Sequence, residues 1–443
     1  MVETVSSILE IVADWERLDC GEPEERACFA AFGIRHGSSW LTEAEDDFVG
    51  RIRQQVHLST YRLAEWLGWN WWRLRWEPRA HTESWSLAHR MTSIGGGYVW
   101  PNLAIISDGE RVVLLARPTK PHPAEPLRYL SDLAAVVRAT EFEGAIDLLL
   151  TRVLEQLRAE DIPTTNLDQI WTDVLAERTD PELAALRRIE AMLGFDPDEA
   201  DSTVVERLLA DATKLGQGAV AEVAAHQPIH DPVPTADDIS RVAAENGVDS
   251  KPGDAVRLSA AIDFLPRDEV PAWRRGAEAA HAVRAQEVLG AAPISNARLC
   301  ALAGVSPKAL ADRSATDFTF SFGLDKSPST GRVVLRSKWE TGRRFDLARL
   351  IGDRVAGTSD DRLLPATRAH TYRQKLQRSF AAELLCPFSS LEDMLRGEYS
   401  SEALHDAAEH FNISELAVRT LLVNHGRLDR EDLEGDIERT AAV

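Results

Sequence analysis

TGRRFDLARLIGDRV (residues 341–355) and TYRQKLQRSFAAELLCPF (residues 371–388) are the two stretches on which the reading of this chain turns. Each has the apolar spacing of a helix that buries one face. The first is entered through a loop, and Pro387 stops the second. Ahead of them, FTFSF (318–322), the turn SPSTG (327–331) and RVVLRSKW (332–339) read as two alternating strands of a small sheet. Beyond them, SSEALHDAAEHFNISELAVRTLLVNHGRL (400–428) reads as two helices around Asn412-Ile413-Ser414.

This order of elements resembles the ImmA/IrrE family of zinc peptidases. In that family a strand leads into a helix of the form RFTLAHELGH, a second helix has the form EANAFAAELLMP, and a closing helix pair has the form LAERFGVSEEAV. Arg344, Phe345, Leu347, Ala348 and Gly352 fit the first. Phe380, Ala381, Ala382, Glu383, Leu384, Leu385 and Pro387 fit the second, and Ala407, Ala408, Phe411, Ser414 and Val418 fit the third. Pro271–Val305 resembles the family's leading helix, so the likeness covers roughly 270–430 and implies a zincin-like domain ending in a helix-turn-helix-like pair.

The chemistry departs from the family. HExxH places two imidazoles one helical turn apart for Zn²⁺, with a glutamate to take a proton from bound water. Here the corresponding letters are Arg349, Leu350, Ile351, Gly352 and Asp353. A guanidinium stays protonated and cannot coordinate a cation, and a leucine accepts no proton. The positions for a third ligand hold Gln374, Lys375 and Leu376. No metal and no cofactor are therefore expected. Arg349 and Asp353 are spaced for an i,i+4 ion pair. The groove is expected to be lined by Arg344, Arg349, Asp353, Arg373, Lys375 and Arg378, which suits an anionic ligand or an acidic peptide.

The resemblance implies a setting in stress response or mobile elements, where active members cleave a helix-turn-helix repressor. The expected function is a non-catalytic regulator or adaptor, a pseudopeptidase that binds a protein, such as that repressor, or an anionic ligand. One alternative is an active metallopeptidase with an atypical site. The other is a DNA-binding transcriptional regulator. Two segments have the cadence of a helix-turn-helix, Asn296–Leu310 and Leu404–Leu422. Their outer faces offer only Lys308 and Arg313, and Glu415 and Arg419, a poor set for reading bases.

Outward from this core, residues 1–122 form a block holding nine of the twelve tryptophans, seven of them between Trp66 and Trp100. Residues 98–116 read as a hairpin around Asp108-Gly109. Leu41–Leu58 and Ser59–Leu67 read as helices capped by Thr42 and Ser59. The block is expected to be a mixed α/β module whose tryptophans fill a core rather than stack on bases or sugars. Pro118–Pro126 reads as a linker. A helical middle, 127–225, follows as Leu127–Arg158, Asn166–Arg178, Pro181–Leu193 and Asp201–His226. A second linker (226–238) precedes a helix at Asp237–Asn246 and a long one at Trp273–Leu289. The whole reads as an α+β multidomain chain.

At 443 residues the chain exceeds what one core usually supports. Its net charge of −21 argues against coating nucleic acid. Yet Arg332–Arg378 carries twelve Lys/Arg against five Asp/Glu, a local +7 that could attract an anionic partner. No run approaches the ~18 apolar residues of a membrane span. The acidic start is unlike a signal peptide, and Cys20, Cys28, Cys300 and Cys386 read as free thiols, so a cytoplasmic protein is expected. Smaller signals read as structural. His226 and His230 are separated by Pro228, which opposes a shared helix face. His81 and His89 near Glu83 read as satisfied histidines, and Gly95-Gly96-Gly97 opens a strand rather than a phosphate-binding helix. Asn102 stands where a PD-(D/E)xK nuclease would need aspartate.

Overall fold

The computed structural model describes residues 8–121, 126–226, 232–259, 266–311, 316–357 and 361–429. The chain divides into two compact units, Met1–Glu206 and Arg207–Val443. Both mix helices with small antiparallel sheets, and among the described residues no helix is long and apolar enough to cross a membrane.

The first unit runs β1 (Leu9–Trp15), α1 (Pro23–Ala27), β2 (Phe29–His36), β3 (Ser39–Trp40), β4 (Ala44–Asp46), β5 (Arg51–Arg53) and β6 (Val56–Ser59). Then come α2 (Thr60–Trp69), α3 (Trp71–Trp76), α4 (Glu83–His89), β7 (Leu103–Ser107), β8 (Arg111–Ala116), β9 (Leu127–Tyr129) and β10 (Leu133–Arg138). It closes with α5 (Ala139–Ala159), α6 (Asn166–Thr179) and α7 (Pro181–Leu193), and α8 (Ser202–Leu215) spans the division. β2 pairs with β1, β3 and β6, β4 pairs with β5 and β9, and β8 pairs with β7 and β10, all antiparallel.

The hairpin around Asp108-Gly109 forms as expected, with Asp108 Oδ1 accepting the Arg111 N–H at 2.9 Å. Leu41–Leu58 is not a helix. Ala44, Ile52, Val56 and Leu58 sit in β4, β5 and β6, and Asp46 Oδ1 accepts the N–H groups of Phe48 and Val49 to turn the chain between β4 and β5. Likewise only Ala139–Ala159 of Leu127–Arg158 is helical, and the start forms β9 and β10. Leu63, Trp71, Trp72 and Trp100 share one buried cluster with Phe142, Ile146, Leu150 and Trp171. The tryptophan block and the helices after it therefore bury a common core.

The second unit runs α9 (Gln217–His226), α10 (Ala236–Asn246), β11 (Val248–Ser250), α11 (Ala272–Gln286), α12 (Asn296–Leu302), α13 (Lys308–Ala311), β12 (Ser321–Ser327) and β13 (Thr330–Val334). α14 (Glu340–Ala356), β14 (Leu363–Ala366), α15 (Tyr372–Leu385), α16 (Phe388–Leu395), α17 (Ser401–Phe411) and α18 (Glu415–Asn424) follow. Its sheet has the order β11-β13-β12-β14, so β14 is an edge strand. Leu347, Leu350 and Ile351 of α14 join Phe380, Leu384 and Leu385 of α15 and Val283 of α11 in the core. The two central helices meet closely at Gly352, where an added Cβ would lie 2.6 Å from the Phe380 ring. This is the physical use of the glycine in the RLIGD motif.

Candidate functional site

The turn from β14 into α15 is built by side chains. Thr371 caps α15 by accepting the Gln374 N–H, which fixes the first turn and aims Gln374 back at β14. Gln374 is fully buried, donates to the Pro365 carbonyl at 3.0 Å, and accepts the Thr367 N–H at 2.9 Å. Arg349 comes from the facing helix α14. Its Nη2 donates to Gln374 Oε1 and to the Thr367 carbonyl, both at 2.5 Å. A guanidinium thus stands between α14 and α15, held by Gln374 and Thr367.

One helical turn along α14, Asp353 does not pair with Arg349. It accepts two hydrogen bonds from Arg373 of α15, Nε to Oδ1 at 2.8 Å and Nη2 to Oδ2 at 2.7 Å. Arg373 Nη1 also donates to Asp361 Oδ2 at 2.6 Å. Arg349 instead has Asp346 at 3.7 Å, three residues before it. The i,i+4 expectation fails because a two-pronged pair across the helices gives better geometry than an extended pair along one helix. Glu222 of α9 completes the cluster, its Oε2 accepting the Thr371 Oγ1–H at 2.7 Å.

Burial governs the electrostatics. It pushes the carboxyls of Glu222 and Asp346 above the usual carboxylate range. Burial also lowers Arg349, whereas Asp353, Glu222 and Asp361 hold Arg373 firmly charged against that same burial. Both oxygens of Asp353 are committed to a guanidinium, Gln374 has no charge to offer, and Leu350 lies in the hydrophobic core. Among the described residues, no three His, Cys, Asp or Glu side chains gather as a metal-holding group. Within the cluster the Asp353 carboxylate is thus neutralised by Arg373.

The remaining groove candidates are also placed differently from the expected open lining. Arg344 is buried and donates to the Asn412 carbonyl at 3.2 Å, the Ile294 carbonyl at 2.8 Å and Asn296 Oδ1. It ties α14 to the turn between α17 and α18. Arg378 donates to the Ala369 carbonyl at 3.0 Å, and its charged form is disfavoured by burial and by Arg349. Lys375 is half-buried on α15. The arginines that the sequence offers to a ligand are therefore largely spent on the protein itself.

Sequence reasoning missed Glu222 and Asp361, which reach the cluster from the helical middle and from the loop before β14. It also missed Asp346, which lies 3.7 Å from Arg349. The KLGQG stretch was the available signal. Gly216 sits at φ +108, and a Cβ there would meet Asp361 Oδ1 at 2.0 Å, so the chain breaks between α8 and α9 to let α9 lie against β14.

Of the lesser motifs, His89 is a core residue, with Nδ1 2.8 Å from the Ile105 carbonyl, Nε2 3.0 Å from Glu77 Oε2, and its ring stacked on Trp85. His81 is exposed. His226 Nδ1 accepts the Arg368 N–H at 3.3 Å, while His230, Pro228 and Arg313 lie outside the described residues. The Gly95 carbonyl accepts the Trp100 indole N–H at 2.6 Å, part of the turn before the hairpin. Comparison of the chain with protein-family models, with curated proteins and with solved structures returns no match.

Proposed function

We propose that the second unit is an ImmA/IrrE-like scaffold without its zinc, and that the protein acts by binding rather than by hydrolysis. The observation that carries this reading is the Arg349–Gln374 contact. A side chain that stays cationic stands at the first ligand position and is held by the residue at the third. Asp353, at the second ligand position, is neutralised by Arg373. The motif order Arg344 to Gly352, Phe380 to Pro387 and Ala407 to Val418 supports the family likeness. A partner of the kind such regulators meet, a protein or an anionic ligand in a stress or mobile-element setting, follows from that likeness alone.

The test is elemental analysis of the purified full-length protein combined with a cleavage assay on a co-encoded helix-turn-helix repressor. The expected result is less than stoichiometric zinc, no cleavage, and a stable complex with the uncut repressor. Stoichiometric zinc lost on Asp353→Ala, or cleavage abolished by a chelator, overturns the reading.

A further inference from the structure

We propose that the end of the sheet formed by Arg336, Lys338, Trp339 and Arg368 is a docking surface for an acidic protein segment that carries an apolar anchor. The proposal rests on the reading of this chain as a binding protein, and it moves the binding groups from the buried arginines to a rim outside them. The register places Arg336 and Arg368 at the same end of the sheet, and Lys338 and Trp339 follow Arg336 in the chain. Ser321 pairs with Ala366 and Phe322 with Val334, so the start of β12 and the ends of β13 and β14 share one end of the sheet. Arg336 follows β13 and Arg368 follows β14.

Hydrogen bonds link the rim into one structure. The Arg336 N–H donates to Ser321 Oγ at 2.8 Å, and its guanidinium leans on the Thr319 carbonyl at 3.5 Å. The Arg368 N–H donates to His226 Nδ1, and the His226 ring packs edge-on to Phe320 at 5.6 Å. Arg336, Lys338 and Arg368 make no ion pair among the described residues, while the arginines behind them, Arg349 and Arg373, are paired. Their field is felt locally. His226 is held below its ordinary value by burial first, then by Arg368, Arg336 and Arg349.

Trp339 is 77% exposed. The loop that bears it is braced. Ser337 Oγ accepts the Trp339 N–H at 3.2 Å. The buried Arg343 donates to the Leu335 and Ser337 carbonyls and to that of Ala309. An indole presented on a fixed loop loses little freedom on binding, which is what an interface anchor requires. Three cations without a close ion pair, two of them sharing the field of the buried Asp346, match a short acidic segment with one large apolar side chain. A nucleic-acid strand fits less well. It would need a longer cationic track than the three cations of this rim.

The test uses full-length protein and fluorescence anisotropy with two labelled probes, a twelve-residue peptide of alternating Glu and Leu and a twelve-nucleotide single-stranded DNA. The peptide is expected to bind more tightly than the DNA. Trp339→Ala and the double variant Arg336→Gln/Arg368→Gln are each expected to weaken it by about tenfold or more, the loss of a hot-spot contact. Arg138→Gln, on an exposed arginine of the other unit, should leave it unchanged, and circular dichroism should report intact folds throughout. No peptide binding, binding indifferent to the rim variants, or tighter binding of the DNA overturns the proposal. Rim-independent peptide binding would leave the zinc-free reading standing, and zinc-dependent cleavage would remove that reading whatever the rim does.

Discussion

Arg373 and Asp353 form a buried two-pronged ion pair that joins α15 to α14, with a second carboxylate, Asp361, on the remaining guanidinium nitrogen. Removing one partner of a buried pair leaves an uncompensated charge, whereas removing both can cost little. Arg373→Leu is therefore expected to destabilise the protein by about 3–5 kcal/mol, since Asp353 is left without its cation. The double variant Arg373→Leu/Asp353→Leu should recover a large part of that loss. Thermal unfolding of the two variants checks this, and equal losses would show that the pair is not the unit of stability.

Glycine substitutions separate a constrained site from a free one. Gly216→Ala meets Asp361 Oδ1 at 2.0 Å and a φ of +108, so a loss of about 1–3 kcal/mol is expected. Gly144 lies exposed in α5 with nothing within 4 Å of an added Cβ, and Gly144→Ala should stabilise by about 0.5–1 kcal/mol. Urea unfolding should move the two variants in opposite directions.

Glu222 gives a pH dependence of known sign. Burial raises its carboxyl in the folded protein above its ordinary value of 4.5. Between those two values the folded state holds more protons than the unfolded state, so stability falls as pH rises through the window. Glu222→Gln keeps an acceptor for Thr371 and removes that slope. The melting temperature of the variant minus that of the parent should therefore be more positive at pH 8 than at pH 5. Each kcal/mol corresponds to about 2–4 °C for a unit of this size. An identical difference at both pH values would exclude a raised folded-state carboxyl.

His281 titrates in the other sense. Its Nε2 lies 2.7 Å from Oε1 of the buried Glu383, and that hydrogen bond raises its pKa above 6.5. Its contribution is thus fully present below 6.5 and fades as pH rises through the folded-state value. Because His281 is 58% exposed, the clean readout is its own imidazole resonance rather than stability. In Glu383→Gln the titration should fall back toward 6.5. A midpoint that does not move would show that the carboxylate is not its partner.

In the second unit the long helices α11, α14 and α15 and the closing pair α17 and α18 were legible from their apolar spacing, whereas β11, β14 and α16 were not. The hairpin of the first unit carried its own turn chemistry in Asp108-Gly109. Leu41–Leu58 misled because Leu41, Ala44, Ile52, Val56 and Leu58 have helical spacing as well as short-strand spacing, and only the Asp46 turn and Gly50 at φ +64 separate the two. At the site, the absence of metal-binding letters was plain in Arg349 and Leu350, but the pairing was not. Asp353 had a neighbour one helical turn away, and nothing local showed that Arg373 would arrive from twenty residues on with better geometry. Glu222 lies 149 residues from Thr371, a separation over which one sequence offers no periodicity to follow.

The side chains that seal β14 have a consequence for how the molecule behaves in a crowd. Pro365 offers no N–H, its carbonyl is taken by Gln374 and Gln377, and both backbone groups of Thr367 are held by Gln374 and Arg349. At Pro365 and Thr367 a stray strand would find these groups already taken, which guards the β14 side of the sheet against edge-to-edge pairing.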